Sequence, residues 1–585
     1  MTRIPVWCFR LGLMLAAGIM LAGCGGSALP ALPPLHLSLS TNGVTLSQAG
    51  TPVSVTVLPT GGGGGSLQLT LNGLPAGITA NISSNTIRLA VSNIAGAPAG
   101  SYTAVINGSE TGVSAVSVNL PVTVAIAAQV RSATGAPLNL AMSTAFQPAS
   151  WDYQFFQNNP GAVTMLSNLQ PSHVRIQAVD GAVPETAPGV WNFSELDAIV
   201  QPVLATGDHS PEFQIAVAPA FMYDANGNLL DQTFQQFAQY CVQLVEYYNT
   251  GGFTDSQGVL HKSPSPYPIT WWGIFNEPNI NHLTASQYTQ LYNTVVPAML
   301  KADPNIKFAA IELSDFGTQP QSFLPTFVAG VTAQVNAVAT HYYATCNQKD
   351  TDQTLMNAIP QTFVAHLQYI RQEMQTNPAL ASLPIWVTEN NVNADYSNNG
   401  ISACNPPNAF VTDPRGTDAF FAAWRPYEFS QFVNSGASVT MLYHWDFDAD
   451  AQFGEVNSST GAPYLSYWVD QALGAYFPPT ADQLPIVSTQ TSDVELLAAQ
   501  RPDGSITVLV ANHAVAAATD DNGAGAPRTV LLDLSALGSI SSAQELTFDA
   551  ATSAASQPQP VAVTPQGVMS IALAGYGSVI LILKP

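Results

Sequence analysis

Two glutamates have the residue type and setting to do chemistry. Glu277 sits in the run Trp-Trp-Gly-Ile-Phe-Asn-Glu-Pro-Asn from Trp271 to Asn279, and Glu389 in Pro-Ile-Trp-Val-Thr-Glu-Asn-Asn from Pro384 to Asn391. Each carboxylate falls just past a short apolar run of strand character, the place where a (β/α)8 barrel keeps its reactive groups. Cleaving an acetal needs a proton for the leaving oxygen while positive charge builds at the anomeric carbon. One carboxylic acid supplies the proton, and a second carboxylate attacks or stabilises the cation. Glutamate serves both purposes, because burial and a neighbouring carboxylate drive two pKa values apart. The expected chemistry uses no cofactor, and no Cys or His occurs at metal-ligand spacing.

The elements that must hold this pair are legible between residues 130 and 480. Strand-like runs alternate there with helix-length segments, the pattern of a parallel sheet with crossover helices. Eight candidate strands are Leu138 to Met142, His173 to Gln177, Phe213 to Val217, Ile269 to Phe275, Phe308 to Leu313, Ala337 to Tyr342, Ile385 to Thr388 and Val439 to Tyr443. Helices are expected over Phe193 to Thr206, with Ser194 or Asn192 as cap, and over Thr233 to Tyr248, Ala285 to Lys301, Thr362 to Gln375 and Thr417 to Asn434. The glutamates fall on strands four and seven, 389 − 277 = 112 residues apart. Three βα units of about 37 residues suit a barrel with enlarged loops, whose usual unit is roughly 31. A doubly wound open sheet has the same alternation, but no glycine-rich fingerprint follows any strand.

Strand-and-turn sequence flanks this region on both sides. Residues 35–127 alternate apolar and polar positions between glycine- and proline-rich turns, as in an immunoglobulin-like β-sandwich, and Tyr102 is their single aromatic residue. A spacer role is expected, with carbohydrate binding as the other reading. Residues 484–585 predict a second β-sandwich, with Arg501-Pro-Asp-Gly504 as a hairpin turn. The expected fold is therefore a (β/α)8 TIM barrel with a β-sandwich on either side.

The first 24 residues have the form of an export signal: Arg3 and Arg10 lie in the charged region, and Leu11 to Leu21 is apolar but short for a membrane span. The run ends in Leu21-Ala-Gly-Cys24, which resembles the lipobox of bacterial lipoproteins. The resemblance implies acylation of Cys24 and a membrane-anchored protein, exported to the periplasmic face or cell surface; an ordinary secretory signal is the alternative. Residues 25–34 then read as a flexible tether. Cys346 and Cys404 fall in loops after strands, where an oxidising compartment could bridge them, and Cys241 lies within a helical pattern. Of 585 residues only 9% are charged, yet 38 acids against 15 bases give a net charge of −23. Such a surface repels phosphate backbones, which argues against nucleic-acid binding. It suits an exported protein acting on neutral polymers, and protein partners are not indicated.

The motifs together carry a specific resemblance. Asn276-Glu277-Pro278 after a strand, His341-Tyr-Tyr343 at the sixth, Thr388-Glu389 at the seventh and Trp445 past the eighth resemble clan A of the glycoside hydrolases. Trp191-Asn-Phe-Ser-Glu-Leu-Asp197 and Val174-Arg-Ile-Gln177 are most similar to glycoside hydrolase family 39. The resemblance implies a retaining mechanism on an oligo- or polysaccharide, β-xylosidase-like in kind, with Glu277 as acid/base and Glu389 as nucleophile. It implies that Asn276 bonds the sugar 2-hydroxyl, that Arg175 keeps Glu389 ionised, that Tyr343 orients Glu389, that His341 lines the same wall and that Trp445 is a platform for the sugar. Gln177 stands where family 39 usually has histidine, so the sugar contact there is not carried over. Glu312, Asp315, Asp446 and Asp448 also lie near strand ends, where they are further candidates for binding sugar hydroxyls, with nothing to select among them. A reading from another class is a non-catalytic carbohydrate-binding protein or adhesin on a barrel scaffold.

Overall fold

The computed structural model describes residues 32–146, 158–169, 174–177, 179, 182–205, 211–281, 283–314, 320–443, 453–457, 460–552 and 556–585. Its centre is a closed barrel of eight parallel strands: β1 (Ala141–Phe146), β2 (Arg175–Ile176), β3 (Glu212–Ile215), β4 (Trp271–Ile274), β5 (Lys307–Leu313), β6 (Ala337–Thr345), β7 (Ile385–Asn393) and β8 (Ala437–Tyr443). The strands close in chain order, each followed by helix. All eight expected strands are present with altered bounds, and two of the changes are informative. β1 starts at Ala141 rather than Leu138, because the Leu138 and Asn139 amides are tied to the carbonyls of Ala481 and Pro479. β7 runs on to Asn393, so Glu389 stands inside a strand rather than beyond one.

Alternation along the strands sorts side chains into two cores. Outward residues such as Phe213, Ile215, Trp272, Ile274, Val338 and Val387 pack on the helices. Inward, Trp271 and Trp386 meet with ring centroids 4.3 Å apart and fill one end of the barrel. Ala141, Ala309, Ala337 and Ala339 surround them, small enough to leave room for two indoles. The helix Gln235–Asn249 buries Phe237, Cys241, Leu244, Val245 and Tyr248 at three- and four-residue spacing. Ala285–Ala302 begins with a capping box between Thr284 and Gln287. In the helix expected from Phe193, Phe193 itself is the N-cap position and makes no side-chain cap; Asn192 Oδ1 accepts the Ser194 amide at 3.0 Å instead.

The flanking strands enclose an N-terminal and a C-terminal core, but one strand runs through both. Val116–Val130 is one strand of fifteen residues, and the boundary expected at residue 127 falls inside it. Its first part pairs with Gly100–Ser109 and Val44–Ser47; its last part pairs with Ile486–Ser488 and Arg528–Asp533 from the other end of the chain. Ile126, Ala128 and Val130 consequently sit in the C-terminal core. Non-local pairing of this kind leaves no local mark, which is why hydropathy patterning placed a boundary there. A second sheet, containing Val494–Gln500, Ile506–Asn512 and Ser578–Lys584, is covered on both sides. Val508 and Val510 face the C-terminal core while Leu509 joins the barrel's, so the run from Ile506 to Asn512 is buried throughout. The turn at Arg501 to Gly504 closes the hairpin as expected, with Gly504 at φ 83°.

Among the described residues no helix is long and apolar enough to cross a membrane. Cys24, the signal-like segment and most of the tether lie outside the described residues.

Candidate active site

A polar layer lies above the two indoles, towards the C-terminal ends of the strands. β3 reads Glu-Phe-Gln-Ile, and its alternation turns Phe213 and Ile215 to the helices and Glu212 and Gln214 into the barrel. Gly273 of β4 makes space for them: a Cβ there would lie 1.4 Å from Gln214 Oε1 and 2.9 Å from Glu212 Oε1. Gln214 Nε2 in turn donates to the Phe275 carbonyl at 2.7 Å, fixing the start of the Asn276-Glu277 turn.

Two register shifts place the acidic side chains. Between β5 and β6, Ala310 pairs with Val338 and Leu313 with Thr340, one extra residue on β5. Between β6 and β7, Thr340 pairs with Val387 and His341 with Glu389, one extra residue on β7. Trp386 points inward, so strict alternation would send Glu389 outward; the bulge resets the phase. Four of the ten described non-glycine residues with positive φ cluster at these turns: Phe275 (60°), Glu277 (45°), Ile311 (86°) and Glu312 (42°). Each costs on the order of 1–3 kcal/mol, which the surrounding bonds must offset. One of those bonds runs from the Glu277 amide to the Glu312 carbonyl at 3.1 Å.

Arg175, fully buried on β2, is the hub. Nη1 donates to Glu389 Oε1 and to Gln177 Oε1, both at 2.8 Å, while Nη2 donates to Asn276 Oδ1 at 2.7 Å. Nη2 is also 3.5 Å from Glu312 Oε2, and Nε is 4.0 Å from Glu212 Oε1. Burial opposes its charge, but Glu312, Glu389 and Glu212 together hold its pKa above the usual value. Gln177 is thus engaged by Arg175 and buried.

His341 bridges the carboxylates. Nδ1 is 2.9 Å from Glu277 Oε1 and 3.5 Å from Glu389 Oε2, and Nε2 is 3.0 Å from Glu312 Oε2. A carboxyl oxygen stands at each ring nitrogen, an arrangement that favours the doubly protonated ring when those carboxyls are ionised. Burial pulls its pKa down, but Glu389 and the bonds to Glu277 and Glu312 outweigh that and set it at about 9. Tyr343 donates to Glu389 Oε2 at 2.8 Å. One atom each from Glu277, His341 and Glu389 lie within 4.8 Å of one another. That spacing would also suit a cation, and the three side chains are linked through the imidazole Nδ1.

Five of the expected site residues, Arg175, Asn276, His341, Tyr343 and Glu389, therefore converge with Glu277 at one barrel mouth. Glu277 is partly open, with its side chain one-fifth exposed, whereas Arg175, His341 and Glu389 are buried. Glu312, expected as a possible sugar contact, is fully buried beneath His341 and cannot meet a ligand. Trp445, Asp315, Asp446 and Asp448 lie outside the described residues. Cys346 and Cys404 form a disulfide, with Cα atoms 5.8 Å apart, that ties the loops after β6 and β7; Cys241 is buried and unbridged. Glu212 and Gln214 went unnoticed in the sequence. Their signal was available: two polar residues at alternate positions of a short strand in an otherwise apolar barrel.

The family model described as "Alpha-L-arabinofuranosidase 1 domain" matches residues 208–372. No curated protein matches the chain. Among solved structures, a monomeric beta-xylosidase from Caulobacter crescentus CB15 superposes with TM-score 0.56 at 14% identity, covering 79% of this chain and 100% of that one. The GH39 enzyme from Xanthomonas axonopodis pv. citri gives 0.55 at 16%, covering 78% and 97%. The GH51 arabinofuranosidase of the same organism gives 0.54 at 12%, covering 79% and 100%. At these identities the likeness is one of fold, and it extends comparably to more than one glycoside hydrolase family.

Proposed function

We propose that this chain is a retaining glycoside hydrolase that cleaves O-glycosidic bonds through a covalent glycosyl-enzyme. The observation that carries the reading is the placement of one oxygen each from Glu277 and Glu389 within 4.8 Å at the barrel mouth. Carboxyl groups about 5–5.5 Å apart act as acid/base and nucleophile, whereas inverting pairs stand wider to admit a water. Glu389, held by Arg175 and Tyr343 through one oxygen each, is the nucleophile. Glu277, less buried, protonates the leaving group and then activates water. Asn276 receives the sugar 2-hydroxyl beside Arg175, and Trp445 supplies an apolar face.

A pentose-containing substrate is the reading favoured by the arabinofuranosidase family model and by the xylosidase and arabinofuranosidase folds. Export and attachment by a lipid at Cys24 complete the proposal, on the strength of Leu21-Ala-Gly-Cys24. The test is hydrolysis of aryl xylosides and arabinofuranosides by the parent and by Glu277→Gln and Glu389→Gln. Both variants should stay folded and lose turnover by 10³-fold or more, roughly what a missing acid or nucleophile costs. Parent-like rates in both would reject the assignment.

A further inference from the structure

Glu312 touches no solvent, yet it is joined to Arg175, His341 and Thr388 at the centre of the site. Its Oε2 accepts from Thr388 Oγ1 at 2.5 Å and from His341 Nε2 at 3.0 Å, and lies 3.5 Å from Arg175 Nη2. The backbone that carries it is left-handed at two successive residues, Ile311 and Glu312, and a β-branched residue at φ 86° is a poor choice unless the placement matters. We propose that Glu312 is a positioning residue: it fixes the His341 ring as an imidazolium whose Nδ1–H faces both Glu277 and Glu389. The proposal rests on the hydrolase reading above for its consequence, though not for its geometry.

Charge counting inside the barrel supports it. Glu277 after β4, Glu312 from β5 and Glu389 from β7 face His341 directly, and Arg175 from β2, Glu212 from β3, Tyr343 from β6 and Thr388 from β7 are linked to it through them. Burial and the nearby Glu312 hold Glu212 protonated, well above the carboxylate range; against its own burial, Arg175 and His341 keep Glu312 ionised at about 2. One proton therefore serves the Glu212 and Glu312 pair. The Arg175 and His341 cations then balance the Glu312 and Glu389 anions. During turnover one negative charge passes between Glu389, neutral while esterified to the sugar, and Glu277, anionic once its proton has gone to the leaving group, and the proton on Nδ1, with oxygens of Glu277 and Glu389 at 2.9 and 3.5 Å, is placed to follow it. When Glu277 gives its proton to the leaving group, Nδ1–H bonds the new carboxylate; when Glu277 is reprotonated, Nδ1–H turns to Glu389. A neutral His341 holds one proton fewer and cannot donate to carboxylates at both ends of the ring.

The test compares the full chain with Glu312→Gln, which keeps shape and removes charge. Nitrogen-15 NMR of the histidine rings reads the protonation directly, and the His341→Gln spectrum identifies the signal. In the parent, His341 should be an imidazolium through pH 8. In Glu312→Gln it should titrate at least one pH unit lower. The alkaline limb of kcat/KM should move by the same amount, with kcat down about tenfold or more and KM within threefold. A merely structural glutamate would lower stability without moving either titration. Identical titrations in parent and variant, or a parent His341 already neutral at pH 7, would overturn the proposal; the parent measurement stands even if the variant fails to fold. Absence of turnover on every glycoside, with the NMR result as expected, would count against the hydrolase reading alone.

Discussion

Arg175 and Glu389, on β2 and β7, are joined across the barrel by a 2.8 Å ion pair, and the other arm of the same guanidinium holds Asn276 at 2.7 Å. One planar fork thus sets the spacing between the Asn276-Glu277 turn and the second glutamate, which a lysine's single point charge cannot do. Arg175→Lys is expected to lower kcat/KM by about 10²-fold, the scale associated with misplacing a reacting group by an ångström. Arg175→Met should also destabilise the chain by roughly 3–5 kcal/mol, since Glu212, Glu312 and Glu389 lose their buried counterion. Steady-state kinetics and denaturant unfolding measure the two effects; an Arg175→Met variant as stable as the parent would contradict the hub assignment.

Tyr343→Phe removes one donor to Glu389 Oε2 and leaves the ring's volume in place. A hydrogen bond to a charged group is worth about 1.5–3 kcal/mol. The expected result is a loss in kcat of about 10- to 100-fold with an unchanged circular dichroism spectrum. Unaltered kcat would mean that Arg175 alone orients the nucleophile.

Stability should fall as pH rises from neutrality to about 9. His341 is opposed by burial but held at about 9 by its carboxylate neighbours, against an ordinary 6.5. A raised folded pKa contributes stability that is complete below 6.5 and lost as pH climbs through 9. Glu428 and Glu495, both pushed up to about 7 chiefly by burial, act in the same sense between about 4.5 and 7, where the unfolded chain ionises them first. His366 and His513, lowered to about 4 by burial, oppose the trend only below 6.5. Thermal melts should therefore give a higher Tm at pH 6.5 than at pH 9, and His341→Gln should flatten that difference.

Gly273→Ala is the smallest change that should disturb the site from a distance. Its methyl group would overlap Gln214 Oε1, an atom of the amide whose Nε2 donates to the Phe275 carbonyl. Overpacking of this kind costs about 1–3 kcal/mol. Activity is expected to drop along with stability, because the displaced amide supports the turn carrying Glu277. A variant with parental stability and kcat would show that the polar layer has slack.

The barrel was legible because its strands are apolar runs at regular intervals, and both glutamates stood out by falling at two strand ends three units apart. The same logic failed where placement depends on neighbours. Glu389 looks as if it follows a strand, but the strand continues, and only a bulge against β6 turns the side chain inward. Glu312 looked like a rim residue for want of any sequence sign of the extra residue in β5. Glu212 was overlooked since a charged residue in a short strand has no obvious partner until Arg175 is brought over it. The long strand Val116–Val130 alternates throughout, so nothing local marks the point where its partners change from one end of the chain to the other.

The separation of Glu277 and Glu389 is most directly tested by the stereochemistry of the first-formed product. Proton NMR during hydrolysis of an activated aryl glycoside, recorded before mutarotation, distinguishes the two anomers. Two carboxyl groups this close leave no room for a water between nucleophile and sugar, so the account predicts release of the same anomer as the substrate; initial formation of the opposite anomer would contradict it.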